Sequence, residues 1–213
     1  MKTLNIGTTI HGRVLVREAS DPVAVVVGFH GYMESAEIQM ERLEALPGSE
    51  SWSLISVQGL HRFYKGRSHE VIAGWMTRQD RDDMIADNIE YVDRVLADAA
   101  PSGVPLFTAG FSQGVAVAFR AGIRGRRRAS GIISVGSDVP PELIADSSVE
   151  FPAVLLARGE TDEWYTLDKM TADVTALGAR GIHPLVFIHP GAHDWTEDVA
   201  DAAARFIRKL SGG

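Results

Sequence analysis

Val104-Pro105-Leu106-Phe107-Thr108-Ala109-Gly110-Phe111-Ser112-Gln113-Gly114 is the stretch on which the reading of this chain turns. Its first half is a short apolar run of the kind that forms a buried strand, and Gly110-Phe111-Ser112-Gln113-Gly114 is a Gly-x-Ser-x-Gly pentapeptide placed where a helix would begin. A serine hydroxyl is a poor nucleophile unless the backbone presents it to a base and to hydrogen-bond donors. A sharp strand-to-helix turn does this, with the serine at its apex and glycines on either side removing Cβ atoms that would clash. At this glycine and serine content the pentapeptide alone arises by chance in roughly one chain in seven, so its surroundings decide.

Outward from that point the chain alternates. Apolar runs at Val23–Phe29, Leu54–Val57, Leu106–Ala109, Ile132–Val135, Ala153–Ala157 and Leu185–Ile188 are continuous, as expected of parallel strands covered on both faces. Between them lie helical stripes. Ile85, Ile89, Val92, Leu96 and Ala99 form one, Leu167, Met170, Val174 and Leu177 a second, and Val199, Ala203, Phe206 and Leu210 a third. Asp194, with Glu197 three residues on, reads as the N-cap of the last helix. Thr8–Arg17 alternates instead and suits an antiparallel strand or a hairpin at the sheet edge. Strand and helix alternating along the whole length predict an α/β protein with a mostly parallel, doubly wound sheet and helices on both faces. No repeat, low-complexity segment or linker interrupts residues 1–213, so one domain is expected.

Composition excludes several classes of function. A net charge of −7 argues against nonspecific nucleic-acid binding, which relies on basic contacts to phosphate. The run Arg124, Arg126, Arg127 and Arg128 reads as a solvated basic patch closing a helix. With no cysteine there is neither a disulfide nor a thiol nucleophile. His189 and His193 are four apart, yet Pro190 and Gly191 between them prevent a helical metal pair, and no third ligand is evident. No metal or other cofactor is expected. No run approaches the roughly 20 apolar residues of a membrane span, and no secretory signal pattern opens the chain, so a cytoplasmic protein is expected. Oligomeric state is left open, with a homodimer compatible.

Ligands of such sheets sit at the carboxyl ends of the strands, so chemistry is sought there. Four segments qualify. Gly28-Phe29-His30-Gly31-Tyr32 follows the first buried strand, and Ser112 follows Leu106–Ala109. Arg158-Gly159-Glu160-Thr161-Asp162-Glu163 follows Ala153–Ala157, and Pro190-Gly191-Ala192-His193-Asp194 follows Leu185–Ile188. The order is serine, carboxylate, histidine.

With His30-Gly31, Gly110-Phe111-Ser112-Gln113-Gly114, Gly159-x-x-Asp162 and Gly191-x-His193 in this order, the chain resembles the phospholipase/carboxylesterase family of α/β-hydrolases, which includes acyl-protein thioesterases and small esterases. The likeness spans nearly the whole chain, Gly74-Trp75 matches more weakly, and no long insertion leaves room for a cap domain. It implies an α/β-hydrolase fold and hydrolysis of carboxylic esters or thioesters. Ser112 would be the nucleophile, His193 the base and then the acid, and Asp162 the residue that orients the imidazole. Glu160 and Glu163 lie close enough to compete with Asp162. The backbone N–H groups of Tyr32 and Gln113 would form the oxyanion hole, and His30 would shape that loop.

Two departures from the family pattern leave the substrate open: Tyr32-Met33-Glu34 stands where further glycine is usual, and Glu163-Trp164-Tyr165 where an apolar residue and proline are usual. The large apolar residues on the strand-end loops, Phe29, Tyr32, Trp75 and Trp164, are expected to wall a shallow groove for a small-molecule ester. An acyltransferase on the same three residues, or a non-catalytic binding protein of the same fold, are the alternatives. His61 and His69, among Arg62, Lys65 and Arg67, read as a solvated loop.

Overall fold

The computed structural model describes residues 1–212. In chain order the strands are β1 (Val14–Arg17), β2 (Ala24–Phe29), β3 (Trp52–Val57), β4 (His61–Tyr64), β5 (Val71–Gly74), β6 (Leu106–Phe111), β7 (Gly131–Val135), β8 (Ala153–Gly159) and β9 (Leu185–His189). The helices are α1 (Ala36–Glu44), α2 (Arg81–Ala99), α3 (Gln113–Arg124), α4 (Pro141–Ala145), α5 (Leu167–Gly178) and α6 (Glu197–Ser211). Seven strands form one sheet in the order β1-β3-β2-β6-β7-β8-β9. All neighbours are parallel except β1, which runs antiparallel to β3 with Val14 opposite Val57. This is the edge strand expected within Thr8–Arg17.

Every residue of β2, β3, β6 and β7 is buried, which is why these segments read as unbroken apolar runs. The two-residue period of the strands divides the core. Val25, Val27 and Phe29 pack with residues of α2, α3, α4 and α5, while Ala24, Val26, Phe107 and Phe111 pack with residues of α1 and α6. Fully burying one such Val or Phe is worth roughly 1.5–3 kcal/mol. The centre of the sheet is therefore a closely packed platform from whose carboxyl edge the loops leave.

Three expectations need correction. β9 is not covered on both faces: Leu185, Val186 and Ile188 are exposed, because at the last strand of the sheet the flanking helices leave these side chains uncovered. The last helix is capped by Thr196, whose hydroxyl accepts from Val199 N, and Asp194 instead accepts from Trp195 N through its side chain. The stretch from His61 to His69, read as a solvated loop, belongs to the hairpin β4–β5, with His61 opposite Gly74 and Tyr64 opposite Val71. Every residue of β4 is exposed, so this strand carries no alternation of apolar and polar residues to mark it. The cationic run at the end of α3 is in solvent at Arg124, Arg126 and Arg128, as expected of a solvated patch, with Arg124 paired to Asp146, Arg126 to Asp93, and Arg127 donating to the carbonyls of Pro101 and Val104. Among the described residues no helix is long and apolar enough to cross a membrane.

Candidate active site

Ser112 stands between β6 and α3 with φ 49° and ψ −120°, a backbone conformation that non-glycine residues rarely adopt. Its N–H donates to Val135 O at 2.9 Å, and its carbonyl accepts from Val115 N at 3.0 Å, so both sides of the turn are tied down. The flanking glycines are required by close approach. A Cβ on Gly110 would lie 2.6 Å from Gly114 O, and one on Gly114 would lie within 2.6 Å of His30 O and nearer still to Phe29 O. The start of α3 is thereby pressed against the loop that leaves β2. The Ser112 side chain makes no capping hydrogen bond to α3, which leaves its hydroxyl uncommitted.

The carboxylate and the imidazole come from neighbouring strands. At the ends of β8 and β9, Glu160 N donates to His189 O and Thr161 N to Gly191 O, each at 2.9 Å. Gly159 permits this contact, since a Cβ there would fall 2.5 Å from Gly191 O. The zipped loops bring Asp162 Oδ2 to 2.9 Å from His193 Nδ1. Of the three candidate acids, Asp162 is buried and faces the imidazole, while Glu160 and Glu163 are in solvent. The other oxygen, Asp162 Oδ1, accepts from Trp164 N at 2.8 Å and Tyr165 N at 2.9 Å. Arg158, which the sequence reading passed over, braces the same loop from beneath, donating to the carbonyls of Tyr165, Glu160 and Asp162.

Burial of Asp162 opposes ionisation, but the N–H of Tyr165, the His193 ring and the N–H of Trp164 together outweigh it and hold its carboxyl below the ordinary range. A depressed pKa adds stability that is present above the unfolded value of about 3.9 and is lost as pH falls through the folded value. Asp162→Asn should accordingly lie further below the wild type in stability at about pH 6 than at about pH 3. Urea unfolding at the two pH values measures this, and a constant gap would rule out the charge-based account.

His193 lies against Phe111, the residue before Ser112, with ring centroids 5.0 Å apart. It also packs on Gly136, whose N–H bonds Ala157 O within β8. With Nδ1 engaged by Asp162, Nε2 is the nitrogen left for a hydroxyl. Among the described residues no hydrogen bond within 3.5 Å joins Ser112 Oγ to His193 in this conformation.

The loop after β2 borders the same space. Its Tyr32 N–H finds no protein acceptor among the described residues, and Gln113 N–H, at the first position of α3, precedes the intrahelical ladder. The Gln113 side chain bridges to the neighbouring segment, accepting from Trp75 N at 2.8 Å and donating to Met76 O at 2.9 Å. His30 is fully buried. Its Nε2 accepts from Gly59 N at 3.0 Å, so Nδ1 carries the proton toward Gly31 O, and burial lowers its pKa. It shapes the loop as a neutral ring.

Phe29 and Trp75 do not wall a groove. Both are fully buried and meet edge to face at 5.6 Å, and Trp75 Nε1 supports the loop from below by donating to His30 O. The two-residue period of β2 turns Phe29 inward, and Trp75 is held in by the Gln113 side chain of α3 and the Asn88 side chain of α2, which bond its backbone N–H and carbonyl, contacts that position in sequence does not disclose. Trp164 does lie at the site: it is 74 % exposed with its ring 6.4 Å from that of His193. Tyr32, also exposed, faces Phe63 of the β4–β5 hairpin at 5.9 Å. The hairpin was not anticipated as a border of the site. The exposed aromatic residue in a charged strand was its one signal.

No protein-family model and no curated protein matches this sequence. Solved structures do resemble it. Esterase PE8 is 23% identical with a TM-score of 0.72, over 93% of this chain and 98% of that one. Acyl-protein thioesterase 2 of Zea mays is 18% identical with a TM-score of 0.73, over 95% and 100%. The carboxylesterase of Bacillus cereus is 15% identical with a TM-score of 0.68, over 93% and 94%. What these likenesses establish together with the parallel sheet and its flanking helices is the fold: this chain is an α/β-hydrolase-fold protein.

Proposed function

We propose that the protein is a metal-independent serine hydrolase that cleaves carboxylic esters, thioesters included, through an acyl-enzyme. The observation that carries this reading is the His193 Nδ1–Asp162 hydrogen bond, set against the ring that precedes a serine held at φ 49°. Ser112 Oγ attacks the acyl carbonyl while His193 Nε2 takes its proton, and Asp162 keeps the proton on Nδ1 and stabilises the imidazolium. The carbonyl oxygen, negative in the tetrahedral intermediate, is received by the N–H groups of Gln113 and Tyr32. His193 then protonates the leaving alcohol or thiol. A water molecule, deprotonated by the same nitrogen, releases the acid and restores Ser112. The esterase and thioesterase names of the structural neighbours support the substrate class.

With Phe29 and Trp75 in the core, the apolar walls left beside the nucleophile are Trp164 and Tyr32, both largely exposed. Short acyl chains fit such a site. A fully buried methylene adds about 0.8 kcal/mol, or about fourfold in kcat/KM, and a half-buried one about twofold. On p-nitrophenyl esters, kcat/KM should rise from two to about six carbons and then level, and Trp164→Ala should flatten the rise. Covalent labelling of Ser112 by a fluorophosphonate, with ester turnover, tests the hydrolase reading itself. An unlabelled protein without turnover would refute it, and a profile still climbing at twelve carbons would refute the short groove alone.

A further inference from the structure

We propose that the Glu34–Arg42 ion pair is a positioning device that holds the turn carrying the Tyr32 N–H and ties that turn to the ring on which His193 rests, an inference built on the hydrolase reading above. The pair is bidentate: Arg42 Nη1 lies 2.6 Å from Glu34 Oε2, and Arg42 Nη2 lies 2.8 Å from Glu34 Oε1. Both side chains are mostly buried, at 14 % and 19 % exposure for Arg42 and Glu34. Glu34 Oε2 also accepts the Gly31 N–H at 2.7 Å. On the other side, the Arg42 guanidinium lies 4.3 Å from the centroid of the Phe111 ring, which is the ring against His193. Gly31 is packed into the same cluster, since a Cβ there would meet Glu34 Oε2 and Phe111 at 3.0 Å each.

The turn needs holding. Gly31 to Glu34 closes through Glu34 N–H to Gly31 O at 3.3 Å, with Met33 in its third position at φ 63°. A turn of that shape favours glycine there, and methionine is strained. Left free, the turn would relax Met33 to a negative φ, rotating the peptide planes around Tyr32. Two restraints oppose this. Strand β5 grips the backbone, with Met33 N donating to Ala73 O and Ala73 N to Glu34 O, and the Glu34 carboxylate grips Gly31 N–H. The Gly31 and Tyr32 N–H groups belong to consecutive peptides, so fixing the first directs the second. Burial disfavours the Glu34 carboxylate, yet Arg42 and the Gly31 N–H keep its pKa below the ordinary value, so the clamp is charged at neutral pH. A buried ion pair contributes little net stability by itself. Its use lies in geometry, joining the oxyanion turn, α1 and the residue before the nucleophile.

The test is a double-mutant cycle on p-nitrophenyl acetate, with kcat expressed per active site titrated by a fluorophosphonate. Glu34→Gln should lower kcat about 30-fold with KM within about twofold, since the loss falls on transition-state stabilisation. In a Met33→Gly background, where glycine adopts the turn without strain, the same substitution should cost no more than about fivefold. A purely structural role would lower the number of titratable sites and leave kcat per site intact, and that outcome overturns the proposal. So does an equal effect of Glu34→Gln in both backgrounds. Should Glu34→Gln not fold, Arg42→Lys retains the charge, removes the paired geometry and is read in the same way. If the wild type itself is not labelled, the hydrolase reading has failed. If it is labelled and the clamp variants match it, only the clamp has failed.

Discussion

Ser112→Ala should lower kcat for ester hydrolysis by at least three powers of ten while leaving the melting temperature within about 3 °C of wild type. The expected loss is large because no other group at the site could take over the attack: Asp162 is buried behind His193, and the Gln113 side chain is occupied by Trp75 and Met76. Residual activity above the uncatalysed rate would come from the oxyanion donors and the orienting of substrate. Stability should change little for two local reasons. The Ser112 hydroxyl caps nothing in α3, so its removal breaks no cap. Alanine also keeps the Cβ, so the strain at φ 49° is neither relieved nor increased. Steady-state kinetics with a thermal melt measures both, and activity within about tenfold of wild type would remove Ser112 from the mechanism.

Gly114→Ala should be strongly damaging although it adds a single methyl group. The new Cβ would fall within 2.6 Å of His30 O and closer to Phe29 O, and these are backbone atoms of β2 and its exit loop. No rotamer change can relieve that overlap. Either α3 or the loop after β2 must shift, and the two bear the Gln113 and Tyr32 N–H groups. Overpacking of this kind costs about 3 kcal/mol, which for a chain of this size is roughly 6–12 °C in melting temperature. A fall in kcat should accompany it. Gly178→Ala provides the contrast, since nothing lies within 4 Å of the added atom in the last turn of α5, and a gain of about 0.5–1 kcal/mol is expected there. Equal melting temperatures for the two variants would show that the contact at Gly114 is softer than its geometry implies.

Much of the framework was legible in the residues because it rests on short-range patterns. β2, β3, β6 and β7 announced themselves as continuous apolar runs, since a strand buried on both faces has no polar side to show. Ser112, Asp162 and His193 each follow such a run, and a parallel sheet delivers all strand ends to one edge whatever the loops do. β9 misled because an edge strand and a central strand share one apolar signature, and exposure depends on which neighbour exists. Phe29 and Trp75 misled for a related reason: a place at the end of a strand says nothing about the side to which a large ring turns.

By itself, then, the sequence determined the α/β architecture, the parallel sheet and the order of the candidate chemical groups, because periodicity and strand-end position are properties of neighbouring residues. The tertiary structure alone decided which carboxylate meets His193, why Gly114 tolerates no side chain, that Trp164 stands at the mouth, and that Glu34 clamps Arg42 across eight residues while Arg42 covers Phe111. Those facts depend on distances between segments up to some tens of residues apart, set by sheet register and by the packing of α1 and α3 on it. No local pattern encodes them, since the free energy that selects them arises only when the segments meet.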